Sequence, residues 1–233
     1  MFNRLFVVKF YSFFNYKFLI LIILSTITDY LAGLKISSEK NNLKRKSFLF
    51  ISIFLNLLIL GVFKYFNFFL DSFYNLISIL NIEVKKIYVE ILLPVGISFF
   101  TFQSMSYSID IYNRKIKVEK DLLRFATFVS FFPQLVAGPI VRAKKLLPQL
   151  AVFQIFKWSN LFLGSELIIY GFFLKLCVAD RLGVVIDPTY SNLMDYGGSV
   201  HLITSMLFSF QIYSDFAGYS LIAIGIGRVM GFN

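Results

Sequence analysis

Cysteine and histidine each occur once in this chain of 233 residues. Cys177 lies inside an apolar run, which excludes an internal disulfide and a cysteine-cluster metal site. His201, beside the loop GGSV, has no second histidine with which to form a metal-binding pair. A lone histidine at a helix end is in most cases a polar interface residue. Charge is also scarce: 15% of the residues are charged, against roughly 25% in an average soluble domain. There is no glycine-rich phosphate loop and no GxSxG nucleophile turn. The first residues, MFNRLFVVKFYSFFNYKF, lack the charged, apolar and small-residue plan of a cleavable signal.

What remains is apolar. Hydrophobic residues make up 58% of the chain and the mean hydropathy is +0.73, the composition of an integral membrane protein. Phe (30) and Tyr (13) are in excess, and part of that excess belongs to interfacial belts. The net charge of +10 is spread in short clusters between apolar runs, so it reports topology and not a nucleic-acid surface.

Hydropathy and charge give about five spans. The first, near Phe18 to Leu34, is preceded by a candidate interfacial helix and followed by Lys35, Lys40, Lys44, Arg45 and Lys46, a cytoplasmic loop by the positive-inside rule. The second, near Phe48 to Leu70, leads out to a mixed-charge loop with Asp71, Glu83, Lys85, Lys86 and Glu90. The third, near Ile91 to Ile111, returns to Arg114, Lys115, Lys117 and Lys120. A fourth, near Asn160 to Val178, precedes an external loop with Asp187 and Asp195. The fifth, near Ser199 to Phe216, comes back in, and Gly218 to Phe232 continues it or forms a further broken helix.

Between the third and fourth spans lies FFPQLVAGPIVRAKKLLPQL, Phe131 to Leu150. Pro133, Gly138 and Pro139 break any straight helix, and cations flank both ends. Two cytoplasmic ends around a broken apolar middle describe a re-entrant segment or, equally well on pattern alone, a surface amphipathic hairpin. Irregular backbone at membrane depth requires cover by protein or a wet cavity.

Polar residues inside spans are the candidates for function, because they are costly there. Gln103, Tyr107 and Asp110 share one helical face, with Ser98, Thr101 and Ser108 near another. Gln211, Asp215 and Tyr219 recur every four residues, with Ser214 and Gly218 as small packing positions. Asp29, Lys64, Lys175 and Asp180 lie at or near span ends and read as interfacial snorkelling. Gly227 to Gly231 is a GxxxG of the kind that packs helices.

The segments LLPVGISFFTFQSMSYSIDIYNRK, FVSFFPQLVAGPIVRAKKLLPQL, KLCVADRL and FQIYSDFAGYSLIAIGIGRVMGF, in that order, resemble the middle of the membrane-bound O-acyltransferase family. FLILIILSTITDYLAGL and NLLILGVFKYFNFF fit the same pattern. FPQLVAGPIVRA is similar to the alginate O-acetylation branch, whereas the D-alanyl-teichoic-acid branch usually differs around the glycine-proline.

The resemblance implies an all-α, polytopic fold, a ring of tilted helices around a central funnel in the bacterial cytoplasmic (inner) membrane. It implies one domain over 1–233, incomplete at its C-terminus and also at its N-terminus. An acyl group, acetyl foremost, passes from a cytoplasmic donor to hydroxyls of an extracytoplasmic polysaccharide. The donor is a substrate, acetyl-coenzyme A or another acyl thioester, and no cofactor is bound. A periplasmic acetyltransferase is an expected partner, nucleic acid is not. The family's base is a histidine in motifs that follow the equivalent of Gly231-Phe232. That histidine is expected beyond Asn233, so no catalytic residue falls within this chain, and His201 matches no family catalytic position.

Within the re-entrant segment, Gln134 is expected to hydrogen-bond backbone or donor, Gly138 to allow close approach beside Pro139, and Arg142 to anchor at headgroups or hold an anionic part of the donor. Leu221 and Leu174 depart from the Asp and Lys of many relatives. Three other readings stay open: D-alanyl transfer to teichoic acid, a polytopic transporter, for which repeated halves are missing, and a non-catalytic remnant.

Overall fold

The computed structural model describes residues 16–79, 94, 96–135, 138–139 and 141–232. The candidate interfacial helix, most of the loop with Glu83 to Glu90, and the start of the third expected span lie outside them. Asn233, beyond which the family histidine is expected, also lies outside the described residues. Among the described residues all regular structure is helical, and the chain is an all-α membrane protein. The helices are α1 (Tyr16–Ser38), α2 (Asn42–Ile79), α3 (Ile97–Tyr112), α4 (Leu122–Val129), α5 (Phe132–Leu135), α6 (Ala143–Ala151), α7 (Trp158–Ser191) and α8 (Gly198–Val229). Among the described residues three helices are long and apolar enough to cross a membrane: α1 over Leu19–Ser38, α2 and α7. The chain forms two compact units, one of residues 1–131 and 141–151, the other of 132–140 and 152–233.

In the first unit α1, α2 and α3 pack on one another, with α4 on α1 and α6 on α4. Helix α1 is built inside out. Ile20, Ile23, Leu24, Ile27 and Leu31 face outward, while Ser25, Thr26 and Asp29 are buried on the opposite face with Ile22 and Ile36. An apolar exterior around a polar interior is stable only where the exterior is lipid. Gly33 completes the inner face: a Cβ there would lie 3.0 Å from both the Tyr107 ring and Ile111 Cδ1, so glycine permits the close approach of α1 and α3.

The α1–α2 turn is fixed by Asn41, whose side chain caps α2 by accepting from Leu43 N at 2.9 Å. Arg45, seven per cent exposed, closes the same end of the bundle. Its Nε donates to Ile36 O at 3.1 Å and an Nη to Tyr112 O at 2.7 Å, so one guanidinium satisfies late carbonyls of α1 and of the end of α3. Arg45 thus acts as a clasp as well as a topology signal.

In the second unit α7 and α8 run antiparallel, linked through a short turn at Leu193–Asp195. Their seam is made of glycines seven residues apart on each helix. A Cβ on Gly164 would meet Gly225 O at 2.7 Å, and one on Gly171 would meet Gly218 O at 2.7 Å. The GxxxG at Gly227 is not the seam: a Cβ on Gly227 meets nothing within 4 Å, and Gly231 lies past the helix at φ +91°. Heptad spacing keeps Gly164, Gly171, Gly218 and Gly225 on one stripe, which a four-residue pair at the helix terminus cannot extend.

Helix α7 continues beyond the expected end of the fourth span, so Asp187 is helical and not in an external loop. The continuation has a packing cause: Gly183, Ile186 and Thr189, three residues apart, are buried. Helix α8 likewise runs unbroken through Gly218.

Candidate functional site

The broken segment is preceded by α4, whose N-cap Asp121 accepts from Leu123 N and Arg124 N. It continues through α5, which packs on α8, and resumes as α6 at Ala143. Gln134 is part of α5, and its side chain lies outside the described residues. Gly138 is buried, Pro139 is half-buried and Arg142 is exposed. The Arg142 carbonyl accepts from Lys145 N at 2.9 Å, starting α6.

The three expected residues on α3 are buried in the first unit. Gln103 Nε2 donates to Phe128 O at 2.7 Å, and the Tyr107 hydroxyl accepts from Glu119 N at 3.0 Å. The Tyr107 ring packs on Phe125 with centroids 4.4 Å apart. Both residues therefore dock α4 and its approach onto α3.

Near them is a cluster that the sequence reading missed. Asp29 is not at a span end: its exposure is 0%, and Ser52, Asn56 and Ser104 all donate to its carboxylate. Asn56 Nδ2 reaches both oxygens at 2.9 and 2.8 Å, Ser108 stands at 3.5 Å, and Ser25 donates to Asn56 Oδ1 at 2.7 Å. Interfacial snorkelling fails for Asp29 because an aspartate side chain is too short to escape the bundle from this face. A signal was present: each helix supplies a polar pair four residues apart, Ser25/Asp29, Ser52/Asn56 and Ser104/Ser108. The carboxylate's acceptor capacity is filled, so this cage joins three helices and offers little to a ligand.

The second unit holds an open cluster. Lys175 Nζ lies 2.7 Å from Asp180 Oδ1 and 2.7 Å from Asp215 Oδ1, with the Tyr219 ring centroid at 5.3 Å. Lys175 sits in a π-helical stretch, Phe173–Ala179, within α7. It is 17 residues past Trp158 and 16 before Ser191, about 25 Å along the helix from either end. That position corrects the span-end reading of Lys175: it lies mid-helix, and its ammonium meets two carboxylates. Lys64 repeats the theme, in the π turn Gly61–Tyr65 of α2, where it donates to Ser98 Oγ at 3.2 Å. Such turns insert an extra residue into the helical repeat and recur at functional sites.

One helical turn before Asp215, Gln211 lies over Gly183, whose absent Cβ would be 3.0 Å from Gln211 Nε2. Gln211 Oε1 is buried without a hydrogen-bond partner among the described residues. The three side chains of the ion cluster are 24% to 46% exposed. Lys175, Asp180, Asp215, Gln211 and Tyr219 thus combine one cation, two carboxylates and, one turn away, a buried acceptor without a partner among the described residues. The structure brings Asp215 and Tyr219 to Lys175, with Gln211 one turn away over Gly183, and keeps Gln103, Tyr107 and Asp110 as a separate group in the first unit. His201 belongs to neither: its Nε2 is 3.0 Å from Leu193 O, holding the α7–α8 turn.

No family model matches the chain. Curated relatives do. A "Probable alginate O-acetylase" of Pseudomonas syringae pv. tomato is 36% identical over 226 residues, 96% of this chain and 43% of that protein. A peptidoglycan O-acetyltransferase of Helicobacter pylori is 33% identical over 244 aligned positions, covering 94% of this chain and 45% of the relative. A teichoic acid D-alanyltransferase of Streptococcus thermophilus is 27% identical over 176 residues, 70% of this chain. The chain spans less than half the length of these relatives.

Proposed function

We propose, for a chain that belongs to the membrane-bound O-acyltransferase family, that it forms part of an enzyme moving an acyl group, acetyl foremost, onto hydroxyls of an extracytoplasmic polysaccharide. The observation that carries this is the match to two O-acetylating relatives, named for alginate and for peptidoglycan, over 94–96% of the chain. The D-alanyl alternative aligns over less of the chain at lower identity. The donor is an acyl thioester on the cytoplasmic side, the membrane is the bacterial inner membrane, and a periplasmic acetyltransferase is a candidate partner.

A sugar hydroxyl is a weak nucleophile at neutral pH, so transfer needs a base within hydrogen-bond reach and a site that orients the acceptor. His201 is engaged at an exposed turn and does not supply that base. The base in this reading is a histidine of the full protein beyond Asn233. The open cluster supplies orientation. Gln211 Oε1 accepts a hydrogen bond from the sugar hydroxyl, Asp215 offers a second acceptor, and Lys175 holds Asp215 in place from α7. The broken segment, with Gln134, Gly138, Pro139 and Arg142, serves the donor's approach.

The test is glycan acetylation by the full protein in its native host. Gln211→Ala and Asp215→Asn are expected to lower acetylation roughly tenfold or more each, the scale of a lost hydrogen bond in a reacting complex, with membrane abundance unchanged. Gln134→Ala and Gly138→Leu should act in the same direction. Unchanged acetylation in all four variants overturns this reading of the sites.

A further inference from the structure

The cationic end of the first unit carries a feature that the acyl-transfer reading leaves unused. The ends of α1 and α3 and the segment after α3 surround an open pocket of about 910 Å³. Six cationic side chains line it, Lys40, Arg45, Arg114, Lys115, Lys117 and Lys120, against one carboxylate, Glu39. Arg45 is occupied by helix-end carbonyls. The other five form no ion pair among the described residues.

The positive-inside rule explains why cations lie on this face, and helix C-termini favour them. Neither explains the backbone of Arg114. It has φ 57°, the only positive φ among the described non-glycine residues. Arg114 N bonds to Ile111 O at 2.9 Å and Lys115 N to Asp110 O at 2.9 Å, the pattern of a helix end at which glycine usually stands. An arginine there strains the backbone, and such outliers cluster where a side chain is used.

The remaining lining is apolar: Ile36, Ile111, Ile116 and Val118. We propose that this pocket binds the phosphate diester of an anionic glycerophospholipid, its cations taking the phosphate and its apolar wall the glycerol and first acyl carbons. The position favours a lipid over a soluble anion, because the pocket stands where α1 ends and α2 begins, at headgroup level. Basic pockets between transmembrane helices on this face bind anionic headgroups elsewhere. The bound lipid ties α1 to the segment after α3 and its single negative charge eases the repulsion among five crowded cations.

The experiment uses the full protein in mild detergent, with thermal unfolding read against added phosphatidylglycerol, phosphatidylcholine, coenzyme A or inorganic phosphate. Phosphatidylglycerol is expected to raise the Tm, phosphatidylcholine not to, and salt to weaken the effect. Combining Arg114→Gly, Lys115→Gln and Lys117→Gln is expected to weaken the phosphatidylglycerol effect by roughly tenfold or more in concentration. Lys144→Gln with Lys145→Gln, exposed cations on α6, should leave it intact. Arg114→Gly alone relieves the backbone, so a smaller lipid shift with unreduced basal Tm separates lost binding from misfolding. A shift with coenzyme A or phosphate but not with phosphatidylglycerol overturns the lipid assignment, and so does an unchanged shift in the triple variant. Acetylation plays no part in the readout, so this proposal and the acyl-transfer reading fail independently.

Discussion

Asp29 is the residue whose replacement separates two accounts of a charge in a membrane helix. If it reached the interface, Asp29→Ala would be nearly neutral. Caged by Ser52, Asn56 and Ser104, it leaves their donors orphaned when removed. Asp29→Ala, which leaves buried neutral donors unpaired at about 1–3 kcal/mol each, should then cost more than Ser104→Ala, about 1 kcal/mol, measured as lost thermal or denaturant stability of the purified protein. The polar residues of α3 and α8 were legible because each set repeats on a helical face. The partners of Asp29 were not, because nothing in α1 says which polar pair of α2 or α3 it will face. Lys175 was misplaced for another reason: hydropathy ended its span near Val178, whereas α7 continues to Ser191.

At the scale of elements, the α7–α8 seam and the α8 terminus make opposite predictions for the same residue type. Gly171→Ala places a Cβ 2.7 Å from Gly218 O, so the helices must part, and a loss of about 1–3 kcal/mol is expected. Gly227→Ala meets empty space inside a helix and should be neutral or stabilising by up to about 1 kcal/mol. Equal effects in an unfolding comparison would move the seam. Sequence reading found Gly218 as a packing position but chose the nearer GxxxG, because the heptad partner glycines sit on another helix far along the chain. It placed helix starts better than helix ends: α7 ran on past Val178 through burial of Gly183, Ile186 and Thr189, a tertiary cause that hydropathy does not record.

Across the whole molecule, two compact units divide the labour between a closed polar cage and an open ion cluster. Charge distribution orients the first: its cationic end, with Lys40, Lys115 and Lys117, belongs on the cytoplasmic face. Cysteines introduced at Lys40 and Lys117, in a Cys177→Ser background, should react with an impermeant maleimide only after cells are permeabilised. Labelling of intact cells at both positions would invert the topology.

The cage also sets an order of events during synthesis. The carboxylate on α1 takes its hydrogen bonds from residues 23, 27 and 75 positions later in the chain. At roughly 5–20 residues per second, the Ser104 hydroxyl leaves the ribosome several seconds after Asp29. Ser52 and Asn56 of α2 emerge earlier and satisfy part of the carboxylate, but until Ser104 arrives the cage is incomplete in a bilayer core that cannot solvate the rest. Release of α1 into lipid is therefore gated by the arrival of α3, and nascent chains stalled before Ser104 should stay bound to the insertion machinery.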